Sequence, residues 1–469
     1  MKTTALFFAI IACAAFADID RTKKPEPGPA PAAAFPDYAK EKLSTGLKVY
    51  VVEDDRKPTI TIRLLLRGGN ILDGSKPGTS DFVGSLLNRG TKTRDAATFA
   101  EAVESLGGTL ESTTGEDGLS VSISGLVKFT DPLLELFADA ILNPVFDEEQ
   151  FAKEKKRAIS NLIAQKKNPG ALAGNLLNKT LFGTHPYGQI ITPESVEAIT
   201  QDDLVKFHQT WFSPNNSASL VVVGDVKTSE ILPKLEKAFA NWKPVPLPEW
   251  KRSRALEPLK DLTIHLLDRP GSVQSNVIVA LQGASRNNPD LPELNVMVST
   301  LGGGFSGRLF QNLREKHGYT YGSSAAFGYF AEAGYFQATA ETRNDVTASA
   351  IQEILNEMNR IRDEIVEMPE LELQRQYNTG NYLLSLENAS RVATRVQDID
   401  FYSLPADFYK TYAKRMSSVT PEKVQKLAKK YLSTENVAII VVGEAKEIKA
   451  SLEKLGTVIV YDTDYKVVK

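Results

Sequence analysis

The sequence is poor in the residues that most often carry chemistry. Its 469 residues include one cysteine, Cys13, and four histidines, His185, His208, His265 and His317. A single cysteine excludes a disulfide framework and a cysteine–zinc cluster. Charge of one sign is also missing, because the formal net charge is −3, which leaves no broad basic field for nucleic acid. No apolar run reaches the roughly 20 residues that a membrane-spanning helix needs. What remains is ordinary for globular protein, 42% hydrophobic and 24% charged, so a wholly disordered chain is excluded. At about 150 residues per domain the length suggests two to four domains.

The N-terminus reads as an export signal. Lys2 is followed by the apolar run Ala5 to Phe16, and Ala15-Phe16-Ala17 offers a small-residue cleavage site. Cleavage after residue 17 removes the only cysteine. Ile10-Ile11-Ala12-Cys13 also resembles a lipoprotein cleavage box, which leaves lipid anchoring at Cys13 as the alternative. Either route predicts a periplasmic or secreted chain, with membrane contact only through that lipid. Residues 18–40, rich in proline and alanine, are expected to form a flexible tether.

Beyond it, strand and helix patterns alternate. Leu47, Val49 and Val51, then Ile60, Ile62, Leu64 and Leu66, follow period two around Asp54 to Pro58, which predicts a β-hairpin or strand–turn–strand. Helices are expected at 79–89, 95–106, 131–142 and 147–166, with strands at 109–114 and 118–125. The chain then repeats itself. Thr200 opens a helix that leads to Leu220-Val221-Val222-Val223-Gly224-Asp225, and Thr420 opens one that leads to Ile439-Ile440-Val441-Val442-Gly443-Glu444. Matched order over that span points to an internal duplication. The proline-rich stretch 243–260 is the expected linker between two α+β domains, 41–242 and 261–469.

Several strings resemble the pitrilysin/insulinase family of zinc peptidases (inverzincins). They are Leu43 to Val49, Gly78-Thr79 to Gly90-Thr91, His185-Pro186-Tyr187-Gly188, Gly224-Asp225-Val226, and above all Gly302-Gly303-Gly304-Phe305-Ser306-Gly307-Arg308-Leu309-Phe310 continuing to Gly318-Tyr319-Thr320-Tyr321. The resemblance implies an α+β fold of two homologous α/β-roll domains that together form half of a clam-shell chamber. It also implies a zinc motif H-x-x-E-H, in which two histidines one helical turn apart bind zinc and a glutamate acts as base. The matching positions here are Asp81, Gly84 and Ser85, and the expected third ligand falls on Leu162. No acid occurs between Glu154 and Glu194. No metal site is therefore expected in this chain.

By the resemblance, an arginine and a tyrosine of the second half donate to the substrate carbonyl, and Arg308 and Tyr321 match them. Gly303, Gly304 and Tyr319 are candidate substrate contacts, although the glycines also suit a tight turn. Arg314-Glu315-Lys316 reads as a solvated charge run. The combination implies a non-catalytic subunit that binds peptide and supplies Arg308 and Tyr321 to a homologous, zinc-bearing partner in a heterodimer. The other reading is a non-enzymatic peptide-binding or scaffold protein, since fold alone does not determine function.

Overall fold

The computed structural model describes residues 34–249 and 255–468. The leader with Cys13, and the tether as far as residue 33, lie outside them. Order begins earlier than the expected tether boundary at 40. Phe35 is buried and stacks on Tyr409 with ring centroids 5.5 Å apart. Tyr38 meets Tyr50 edge-on. Aromatic burial outweighs the local proline-rich composition here.

Twelve strands form two mixed sheets. The first contains β1 (Ala39–Lys42), β2 (Lys48–Glu53), β3 (Thr59–Arg67), β4 (Thr109–Thr114), β5 (Gly118–Leu126) and β6 (Ser219–Gly224). The second contains β7 (Thr263–Asp268), β8 (Gln274–Gly283), β9 (Thr320–Tyr329), β10 (Gly334–Arg343), β11 (Ala438–Gly443) and β12 (Thr457–Tyr461). Their orders are β1-β2-β6-β3-β5-β4 and β12-β7-β11-β8-β10-β9. Five strands correspond position for position, which is the duplication seen as topology. The sixth differs: β1 precedes β2 and runs antiparallel to it, whereas β12 comes from the chain end and runs parallel to β7.

The two strands flanking Asp54 to Pro58 do not pair with each other, so the hairpin reading is corrected to strand–turn–strand. β6 lies between them, parallel to β2 and antiparallel to β3. The reason is compositional. β6 and its mate β11 are apolar on both faces and buried throughout, so only a central position removes both faces from water.

Helices repeat with the strands. Helices Glu148–Gln165, Pro169–Phe182 and Gln201–Trp211 have mates Met368–Ser385, Ala389–Phe401 and Pro421–Tyr431, each beginning 220 residues later. The starts use matching caps: Asn168 and Asn388 accept from Ala171 and Arg391 amides, and Thr200 and Thr420 from Asp203 and Lys423 amides. No helix among the described residues is long and apolar enough to cross a membrane.

The halves exchange helices. Pro169–Phe182 packs on β8 and β11 of the second sheet, and Ala389–Phe401 packs on β6 and β3 of the first. Leu172, Leu176 and Leu177 join Ile278, Ile440 and Val442 in one buried cluster. Leu256 and Leu259 of the linker pack against that cluster, so this end of the linker is docked. At the other crossing, fully buried Gln397 donates to the carbonyls of Arg63 (3.1 Å) and Ser219 (2.8 Å) and accepts from the Arg63 guanidinium. Replacing Gln397 with leucine removes donors from two buried carbonyls. It should lower unfolding free energy by about 1–3 kcal/mol, read as a fall in the urea midpoint with little change in slope.

Candidate functional site

Helix Thr79–Leu86 carries the positions that match the lost metal motif. It starts after Gly78, whose φ of +100° suits glycine. Asp73 caps the start, accepting from the amides of Gly78 (2.7 Å) and Ser80 (2.8 Å). Asp81 accepts from Asn70 Nδ2 at 3.2 Å, and burial pushes its carboxyl above the usual range. A Cβ at Gly84 would stand 2.7 Å from Thr114 Oγ1, so the glycine lets the helix approach β4. Ser85 donates to the carbonyl of Phe82 at 3.2 Å.

Asp81, Ser85 and Leu162 line one cavity of about 420 Å³. The structure therefore brings Leu162 beside Asp81 and Ser85, which share one helix much earlier in the chain. Glu116 and Asp73 join them there. Sequence reasoning missed Glu116 because it sits in the β4–β5 turn, where Gly115-Glu116-Asp117 looks like ordinary turn chemistry. Burial, with Asp117, Asp81 and Asp73 adding repulsion, pushes Glu116 up to about 7, and burial pushes Asp73 up to about 6.

These residues do not fit zinc. Among the described residues no three histidine, cysteine or carboxylate side chains are grouped to hold a metal ion. Asp73 is committed to capping. The histidines are engaged elsewhere: His185 beside Glu332 (3.3 Å), His208 at the Ile141 carbonyl (2.8 Å), His265 at the Tyr461 hydroxyl (3.0 Å) and His317 stacked on Tyr319. Glycine and serine at the base and second-ligand positions, and an aliphatic side chain at the third, make a poor zinc donor set.

The glycine string of the second half ends helix Leu291–Gly302. A Cβ at Gly302 would lie 2.3 Å from the Ala325 amide of β9, and one at Gly303 would lie 2.2 Å from Ser299 Oγ. The tight-turn reading accounts for both. Gly304 has φ +62° and open space around it.

Arg308 does not face solvent. It is 6% exposed, and its Nε and Nη2 donate to the two carboxylate oxygens of Glu370 at 2.7 and 2.9 Å. Its third nitrogen, Nη1, is covered and has no acceptor. Glu370 lies in the first turn of helix Met368–Ser385, where the helix dipole favours a carboxylate. One turn later, buried Gln374 accepts from Ser299 Oγ (2.6 Å) and donates to Ser306 Oγ (3.0 Å). Arg308 thus belongs to the scaffold under the glycine turn.

Tyr321, in contrast, is 86% exposed on edge strand β9. Tyr319 is half-buried and stacks on His317 with centroids 4.9 Å apart. An exposed arginine of the same string precedes β9: Arg314, at 42% of its side chain. It stands in the π-helical turn Gln311–Lys316, and its carbonyl accepts from the Gly318 amide at 3.0 Å as the chain turns into β9. The sequence signal was present in the string Leu313-Arg314-Glu315-Lys316, but adjacent charges also describe a solvated helix face.

Two outcomes follow from this geometry. Arg308→Leu leaves Glu370 without its counter-ion and should cost about 2 kcal/mol of stability, while Arg314→Ala should stay within about 0.5 kcal/mol; urea midpoints separate them. Glu116 is held above its ordinary value of 4.5, at about 7. The folded state then binds the proton more tightly, and stability declines as pH rises from about 4.5 to about 7. Glu116→Gln should flatten that part of the profile, raising the melting temperature at pH 8 relative to the parent more than at pH 4.5.

Comparison with known proteins agrees with this arrangement. Residues 48–194 match the family profile described as insulinase (peptidase family M16), and residues 198–378 match that of the peptidase M16 inactive domain. An uncharacterized zinc protease of Rickettsia bellii is 26% identical over 390 residues, covering 82% of this chain and 90% of the relative. A non-peptidase homolog, YmxG, of Helicobacter pylori is 24% identical over 418 residues, covering 86% and 93%. The crystal structure of a peptidase M16 inactive domain from Pseudomonas fluorescens superposes with a TM-score of 0.82 at 25% identity, covering 87% of this chain and 98% of that one. Two matched family profiles, the two-sheet fold and a cavity lined by the altered motif positions lead to one conclusion: the chain belongs to peptidase family M16, as an inactive homologue whose metal-motif positions no longer carry zinc ligands.

Proposed function

We propose that this chain is the non-catalytic subunit of a heterodimeric zinc metalloendopeptidase, acting in the periplasm or as a secreted protein. It binds peptide substrate and presents a donor pair to the zinc site of a homologous partner. The observation that carries this reading is the contrast between the halves. The first half has lost its ligands, whereas the second keeps an exposed arginine and an exposed tyrosine beside an edge strand. A buried Arg308 supports reassigning the arginine's role to Arg314, with Tyr321 retained. The N-terminal export pattern supports the compartment, and Cys13 keeps lipid anchoring as an alternative attachment.

Each donor has a chemical reason. Negative charge develops on the carbonyl oxygen as a peptide bond is attacked, and a guanidinium and a phenol can both donate to it. β9 is the last strand of its sheet, and Gly322, Ser324 and Ala326 are exposed along it. Small side chains on an unpaired edge suit an added peptide strand, held by main-chain hydrogen bonds. The partner would close over this face as the other half of a chamber.

The test is reconstitution with a homologous subunit bearing H-x-x-E-H, assayed on an internally quenched peptide. The isolated chain should show neither stoichiometric zinc nor turnover, and the pair should show both. Arg314→Ala or Tyr321→Phe should then lower kcat by about 10²–10³-fold without weakening assembly. Turnover unaffected by both changes, or no association with any such homologue, would leave the scaffold reading in its place.

A further inference from the structure

An exposed arginine on a short helical turn is ordinarily a mobile group. Arg314 is not. Its Cζ stands 4.9 Å from the centroid of the Phe310 ring, one turn earlier. Phe310 is buried, and Phe305 packs against it edge-on, with centroids 4.9 Å apart and planes at 70°. Phe305 is itself 75% exposed, but its carbonyl accepts from Gln311 Nε2 at 2.7 Å. The ion-pair contact of Arg314, Nε to Glu315 Oε1, spans 3.7 Å, too far for a hydrogen bond. The aromatic face is therefore the main restraint on the guanidinium.

That face is held from both sides. Two residues before Phe310, Arg308 is locked to Glu370 through two hydrogen bonds. Two residues after it, Asn312 Nδ2 donates to Glu353 Oε2 (2.9 Å) and Glu357 Oε1 (2.8 Å) of helix Thr347–Asp363. Leu309 and Leu313 are buried in the core of the second half. These contacts anchor the turn that carries the ring.

We infer that Phe310 is a positioning residue for Arg314: its ring, braced by Phe305, holds the guanidinium stacked in one place, so that its N–H donors meet a substrate carbonyl already oriented. This rests on the donor-pair reading above and adds to it the means by which the cation is ordered. The stack requires arginine specifically, because a planar guanidinium lies on a ring face and a lysine ammonium does not match that geometry. Ordering a long side chain before substrate arrives reduces the entropy lost on binding it.

The experiment compares Phe310→Leu, Phe310→Tyr and Phe305→Ala in the reconstituted complex, together with Arg314→Lys. Phe310→Leu keeps an apolar side chain and removes the ring; kcat should fall about fivefold to tenfold with KM unchanged. Phe310→Tyr should retain the parental rate. Phe305→Ala alters an exposed side chain and should lower kcat about twofold to threefold. Arg314→Lys should resemble Arg314→Ala more than the parent. In the free chain, the ring-current shift of the Arg314 δ-methylene protons should be present in the parent and lost in Phe310→Leu. If Phe310→Leu does not fold, Phe305→Ala decides. An unchanged kcat in Phe310→Leu and Phe305→Ala, while Arg314→Ala is impaired, would overturn the positioning role alone. No turnover from the parental complex would overturn the shared-site reading, and this role with it.

Discussion

The fold depends on an exchange of helices between its two halves. Each sheet has a central strand, β6 or β11, that is apolar on both faces. Such a strand needs a cover on each side, and the second cover comes from the opposite half. Helix Pro169–Phe182 lies on the second sheet and Ala389–Phe401 on the first. Neither half can leave without exposing a buried face of the other, so the duplicated halves form a single cooperative body. The polar contacts at the crossings follow that burial. Gln397 donates to two backbone carbonyls of the first sheet, those of Arg63 and Ser219, across the crossing.

Duplication gave the halves equal frameworks, and their surfaces have since taken different roles. In the first half, the helix that would carry a metal motif has Gly84 pressed against β4, and Asp81 in a cavity with other carboxylates. Burial and repulsion from neighbouring carboxylates hold Glu116 and Asp73 toward their neutral forms. In the second half, polar residues are arranged to fix a short turn. Glu370 and Gln374, one turn apart on a single helix, grip Arg308 and Ser306, while Glu353 and Glu357 grip Asn312. These contacts hold the turn that carries Arg314 over buried Phe310 and leads to exposed Tyr321.

Arg308 and Arg314 show how a motif can be right in outline and ambiguous in detail. Both arginines occur in the same family-like string, six residues apart. As isolated letters, the first looked like the functional residue and the second like part of a charge run. Their fates differ because Arg308 points at the start of helix Met368–Ser385, where Glu370 awaits it from 62 residues away, whereas Arg314 lies one turn further on and stacks on an aromatic ring. No local rule distinguishes these outcomes, since the partner acid and the ring's bracing come from elsewhere in the chain or from its folding.

Local physics made much of this protein legible in the amino-acid sequence. Period-two runs placed β2 and β3, threonine caps placed the repeated helices, and the absence of histidine from positions 81 and 85 and of an acid from position 162 is legible without the fold. These signals need only neighbours along the chain. Tertiary structure decided what depends on distant partners: that β6 separates β2 from β3, that Phe35 belongs to the core, that Glu116 shares a cavity with Asp81, and which arginine is exposed. The physical reason is the same in each case. Burial is a property of what packs against a residue from outside its own segment, and it is burial that inserts a strand, shifts a carboxylate, or makes one arginine structural and leaves another available to a substrate.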